Sequence, residues 1–109
     1  MAPPVCLRGI ELRYVLTWEL WLHGPSTIAD LMDALEWHGF CVKGRASKVI
    51  SDALRWEIER GRVYRLGRGR YGPADMPRAT EYRIHQRVLD LRGKARLSRK
   101  GGRRHYELF

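Results

Sequence analysis

Long apolar runs are missing from this chain of 109 residues. No stretch approaches the ~18 consecutive apolar residues that a membrane-spanning helix needs, so no such helix and no membrane partner are expected. The opening residues, MAPPVCLRGIELR, lack a basic segment followed by an uninterrupted apolar one, so no secretory signal is expected. Cysteine is scarce. Cys6 and Cys41 do not make a disulfide framework, and the simplest compartment is the reducing cytosol. Metal-ligand spacing is also lacking. His38 and Cys41 are close, and Cys6 and His23 are available, but no C-x2-C or H-x3–5-H pair occurs, so no metal is expected. Catalytic signatures fare no better. There is no G-x-S-x-G, no Walker loop and no G-x-G-x-x-G within a strand-then-helix unit. Glu57 and Glu59 sit two apart on one helical stretch and face different ways, so they are no acid/base pair. Neither an enzyme, nor a cofactor, nor a small-molecule ligand is expected.

What is abundant is positive charge. Lys and Arg number 21 against 12 Asp and Glu, for a net +9. The charge is unevenly placed. Residues 1–41 hold two bases and five acids, a net −3, while residues 42–109 hold 19 bases and seven acids, a net +12. Of the bases, 17 are Arg, whose fork matches phosphate and guanine edges. A scaffold third followed by a polyanion-facing remainder is the reading, with a solvated basic surface as the plain alternative.

The length suits one domain, and 44% hydrophobic residues suit a folded one. Residues 1–8 read as a loose N-terminal arm in which Pro3 and Pro4 deny a helix start. A helix is predicted over Gly9 to His23. Ile10, Tyr14, Trp18 and Trp21/Leu22 form one apolar stripe, and Leu12, Leu16 and Leu20 a second, so this helix must be covered on two faces. Gly24-Pro25 stops it. Thr27 has N-cap chemistry, with Asp30 three residues on. The helix it opens buries Leu31 and Leu35, with Ile28 and Met32 beside them, and ends at Trp37-His38-Gly39. After a connector from Phe40 to Arg45, Ser47 reads as the cap of a third helix reaching Arg60, with Ile50, Ala53, Leu54 and Ile58 inward. Arg62 to Leu66, the turn Gly67-Arg68-Gly69 and Arg70 to Gly72 read as a β-hairpin with a basic tip. A linker from Pro73 to Pro77 leads to a fourth helix near residues 77–92, striped by Ile84, Val88 and Leu91. Residues 93–109 read as a basic flexible tail. The tryptophans are expected in the core, Trp56 excepted.

Three helices and then a hairpin with a basic turn is the order of a winged helix-turn-helix, an α+β fold. The segment LHGPSTIADLMDAL resembles the helix 1–helix 2 junction of winged-helix regulators. SDALRWEIERGRVYRLGRGRYGP is similar to the third helix and wing of HARE-type winged helices and of small uncharacterised actinobacterial proteins. MPRATEYRIHQRVLDLR also resembles the C-terminal segment of the latter. The resemblance covers roughly residues 10–92, and residues 9–76 are the winged domain it implies.

In that fold the outer face of the third helix enters the major groove. Ser47, Lys48, Ser51 and Arg55 supply polar and cationic groups there, led in by Lys43 and Arg45. Asp52 is the awkward neighbour: it caps, pairs with Arg55 or accepts from a cytosine amine. Arg65, Arg68 and Arg70 flank the turn, where a narrow glycine-rich backbone suits a minor groove or the flanking phosphates. The expected partner is double-stranded DNA, with the protein a cytoplasmic, nucleoid-associated architectural factor or a transcriptional regulator. The alternatives are a winged helix docking on RNA polymerase or another complex, and an RNA-associated factor. The apolar surplus on Leu12, Leu16 and Leu20, with Ile84, Val88 and Leu91, predicts a homodimer built on these six residues. Folding of the fourth helix over the first within one chain is the alternative.

Overall fold

A computed structural model describes the backbone of residues 4–100 and the side chains of residues 4–96. Within them the chain is mixed α+β, with four helices and two small sheets. Strand β1 (Val5–Cys6) is followed by α1 (Gly9–His23), β2 (Ser26–Thr27), α2 (Ile28–Trp37), β3 (Phe40–Cys41), α3 (Ala46–Glu59), the hairpin β4 (Val63–Gly67) and β5 (Arg70–Pro73), and α4 (Arg78–Lys100).

Helix α1 is the centre of the fold. Leu12 and every residue from Tyr14 to Leu20 are buried. Helices α3 and α4 both pack on it, and β5 touches it as well. The two apolar stripes thus find two partners, as the sequence requires. The ends of the first stripe do not follow: Ile10 is 48% exposed and Leu22 50%, because each lies within a turn of the helix end. Gly24 closes α1 with φ +82°, a value that side-chain-bearing residues avoid, and its N–H donates to Leu20 O at 2.8 Å.

Helix α2 opens as read from sequence. The Asp30 N–H donates to Thr27 Oγ1 at 3.1 Å and the Thr27 N–H donates to Asp30 Oδ2 at 3.0 Å, a reciprocal cap. Hydrogen bonding to Thr27 holds the Asp30 carboxyl below the usual carboxylate range, with the Arg70 cation adding to it. Leu31 and Leu35 are buried, but Met32 is 39% exposed and Trp37 is 77% exposed. Both were expected inside. Trp37 is the last residue of α2.

Helix α3 starts two residues earlier than the cap at Ser47 implies. Arg45 is the N-cap, without a side-chain cap bond, and Ser47 lies in the first turn. Its inward row is Ile50, Ala53, Leu54 and Glu57. The hairpin joins a third strand that the sequence does not announce. Thr27 and Ser26 pair with Arg70 and Tyr71, giving the order β2-β5-β4. Gly69, at φ +66°, makes the tight turn, and its carbonyl accepts from the Ile28 N–H at 3.3 Å, so the tip sits at the start of α2.

The N-terminal arm is not loose where it is described. β1 pairs in parallel with β3, Val5 to Phe40 and Cys6 to Cys41, and Leu7 is 1% exposed. Cys6 and Cys41 are joined as a disulfide, against the expectation from their number. Pairing at one register position brings together two cysteines that lie 35 residues apart in sequence.

Helix α4 also departs from expectation. It continues through Gly93 to Lys100, because the row Ile84, Val88, Leu91 is extended by Ala95, which is fully buried. The flexible tail expected from residue 93 is therefore helical up to residue 100; residues 101–109 lie outside the described residues. The six residues expected at a dimer interface (Leu12, Leu16, Leu20, Ile84, Val88 and Leu91) are each at most 2% exposed within one chain. Helix α4 covers α1 intramolecularly, so these side chains are not available to a second copy. Each large side chain so buried contributes roughly 1.5–3 kcal/mol.

Where α4 passes the end of α2, a polar cluster forms around Glu19, which is 5% exposed. His38 Nε2 lies 3.1 Å from Glu19 Oε2, and Arg92 Nη2 donates to the same nitrogen at 2.8 Å. His23 Nε2 and Arg92 Nη2 stand 3.6 and 3.7 Å from the carboxylate. Burial lowers the His38 pKa, and the Arg92 cation lowers it further against the pull of Glu19. The ring is therefore held neutral, its Nε2 lone pair accepting from Arg92. A histidine depressed in the fold protonates first in the unfolded chain. Its contribution is whole above its ordinary pKa of 6.5 and is lost as pH falls from there toward the lower folded value. Thermal melts from pH 8 to about pH 5 should show the parent losing more stability on acidification than His38→Gln. Parallel profiles would remove His38 from the pH response.

Candidate nucleic-acid interface

The segment from Lys43 to Pro73 carries nine bases against three acids. It contains all nine residues expected at the interface. Lys43, Arg45, Ser47, Lys48, Arg55, Arg65, Arg68 and Arg70 are exposed and Ser51 is half-buried. Their electrostatic situations differ. Lys48 Nζ reaches Asp52 Oδ2 at 3.2 Å and Arg55 Nη1 approaches Asp52 Oδ1 at 3.9 Å, so Asp52 pairs with both cations of the outer face of α3. All three side chains remain about half exposed or more, so these pairs are weak and easily exchanged for an external anion. Lys43, Arg45, Arg65 and Arg68 make no ion pair among the described residues. Arg70 lies within electrostatic reach of Asp30 at the start of α2.

One surface feature beside this set goes beyond the sequence reading. Trp56 is 50% exposed and two guanidiniums stand over its ring, Arg60 at 4.9 Å and Arg13 at 5.3 Å from the ring centroid. Lys48, Asp52, Arg55, Trp56 and Glu59 line a shallow depression of about 390 Å³ along α3. The spacing of Trp56 and Arg60 by four residues was the available signal, since such residues stack on a helix surface.

The hairpin is held by Glu57, which carries no catalytic signature in the sequence. Glu57 is fully buried. Its carboxylate accepts from Arg62 Nε at 2.7 Å and Arg62 Nη2 at 2.9 Å, a two-pronged pair, and from Thr17 Oγ1 at 2.8 Å. Arg13 Nε stands 3.3 Å from Glu57 Oε2 as an ion pair without hydrogen-bond geometry. Arg62 is the residue before β4, its N–H donates to Glu57 O, and its carbonyl accepts from the Ala74 N–H. One carboxylate thus fixes the base of the hairpin to both α3 and α1. The clue in the sequence was position: Glu57 continues the row Ile50, Ala53, Leu54 that faces the core.

Gly67, Gly69 and Gly72 belong to this hairpin and not to a strand-to-helix turn. Among the described residues no group of three or more His, Cys, Asp or Glu is placed to hold a metal, and no helix is long and apolar enough to cross a membrane. No protein-family model matches the chain, and neither a curated protein nor a solved structure matches it.

Proposed function

We propose that the chain is a winged helix-turn-helix protein that binds double-stranded DNA, as a transcriptional regulator or nucleoid-associated protein. In this reading α2 and α3 are the helix-turn-helix, α3 lies in the major groove, and β4–β5 is the wing, braced by β2. The observation that carries it is the set of exposed cations, unpaired among the described residues, on the two segments that flank α3: Lys43 and Arg45 before it, Arg65 and Arg68 after it. Exposed cations without partners inside the chain are the groups that release counterions when phosphates take their place. Ser47, Lys48, Ser51 and Arg55 are then the side chains offered to base edges or to the phosphates beside them, and Asp52 holds the two cations extended until DNA replaces it.

The wing is tested by changing Arg68 and Arg70 together to Ala. Both are exposed and contribute no core contact, so the circular dichroism spectrum should stay that of the parent. Binding should weaken on every duplex sequence, and the slope of log K against log[salt] should flatten by about one to two units. An unchanged slope would take the wing off the phosphate backbone. A competition between duplex DNA and structured RNA, run on the same protein, separates the two nucleic acids.

A further inference from the structure

The disulfide stands where it can act on that interface. We propose that Cys6–Cys41 is a reversible thiol–disulfide exchange site whose oxidation state sets duplex affinity through the segment leading into α3; the affinity half of this rests on the DNA reading above. Cys6 is the more exposed residue of the pair, Cys41 being half-buried, so the attack is assigned to the Cys6 sulfur. A dithiol reductant is the co-reactant. Its first thiolate bonds to Cys6 Sγ, the Cys6–Cys41 bond breaks, and Cys41 leaves as a thiolate that takes up a proton. The second thiol of the reductant then closes on the first, releasing Cys6 as a thiolate that is protonated in turn. Two electrons pass to the protein and the reductant ends as a cyclic disulfide. In a reducing compartment such an exposed bond forms only while an oxidant is present, which makes it a reporter and not a permanent staple.

The consequence for the fold is local. β1 and β3 are two residues each, too short to hold each other by pairing alone. The Val5 N–H donates to Gly39 O at 3.0 Å and the Leu7 N–H donates to Cys41 O at 2.7 Å. Cys41 stands two residues before Lys43 and four before Arg45, and α3 begins at Ala46. With the bond closed, the backbone that presents Lys43 and Arg45 is tied at its start. With the bond open, β1 and the 41–45 segment gain freedom that DNA binding must remove again.

The test compares oxidised protein with protein reduced by dithiothreitol, using the anisotropy of a labelled duplex together with hydrogen exchange at the Leu7 amide. The oxidised form should bind about three- to tenfold tighter and protect Leu7 better. Cys6→Ser, at an exposed position, should behave as the reduced form with or without the dithiol. A bond that survives millimolar dithiol overturns the exchange site. Equal affinities, within twofold, overturn the coupling. If Leu7 exchange differs while affinity does not, the coupling alone falls and the DNA reading stands. If neither state binds duplex, the DNA reading falls and takes the coupling with it.

Discussion

Glu57→Ala should cost about 3–5 kcal/mol of stability, the range for removing one partner from a buried ion pair. The reason is what remains. Arg62 and Arg13 keep only 15% and 17% of their side-chain surface in water, and without the carboxylate they face each other as uncompensated cations. Thr17 Oγ1, on a residue 1% exposed, loses its acceptor as well. A domain of this size holds only about 5–15 kcal/mol in total, so the variant stands near the edge of folding. Urea titration of parent and variant measures the loss. A difference under about 1 kcal/mol would mean that both guanidiniums reach water in solution and that Glu57 does not brace the hairpin.

Leu16→Glu should be more damaging still, and of a kind that separates two accounts of the apolar surplus. Leu16 is fully buried where α1 lies in the core. A carboxylate there would sit in the apolar core cluster, and burying an unpaired charge exceeds about 4 kcal/mol. The expected product is an unfolded chain by circular dichroism. Had the leucine stripe faced a second copy, the same change would yield a folded species of half the mass. Light scattering and circular dichroism on one sample distinguish these, and a folded monomer from a dimeric parent would contradict intramolecular cover by α4.

The local elements were legible because their signals are local. Thr27 with Asp30 marks a helix start within four residues, and Gly24-Pro25 marks a stop within two. Stripes such as Leu12-Leu16-Leu20 likewise state that a face is buried. They do not state by what, and that is why the same six residues suit a dimer interface as well as the intramolecular cover that α4 provides. Two-residue strands carry no period, so β2 joining β5, and the β1–β3 pair that brings Cys6 to Cys41, had no pattern to reveal them. The end of α4 was hidden by Gly93, Lys94 and Arg96, which dilute the stripe that Ala95 continues. At the candidate interface, charge and helix phase foretell exposure, which holds for every residue of the set but the half-buried Ser51. The pairing of Lys48 and Arg55 with Asp52, and the burial of Glu57, depend on side-chain directions in three dimensions that spacing constrains only loosely.

The most direct test of the DNA-binding account is a salt titration of the unmodified protein on duplex DNA. With Lys43, Arg45, Arg65, Arg68 and Arg70 meeting phosphates, and Lys48 and Arg55 joining when Asp52 yields, about five to seven phosphates are neutralised. The predicted slope of log K against log[salt] is then roughly −4.5 to −6. A slope near zero, or no duplex binding even at low ionic strength, would contradict it.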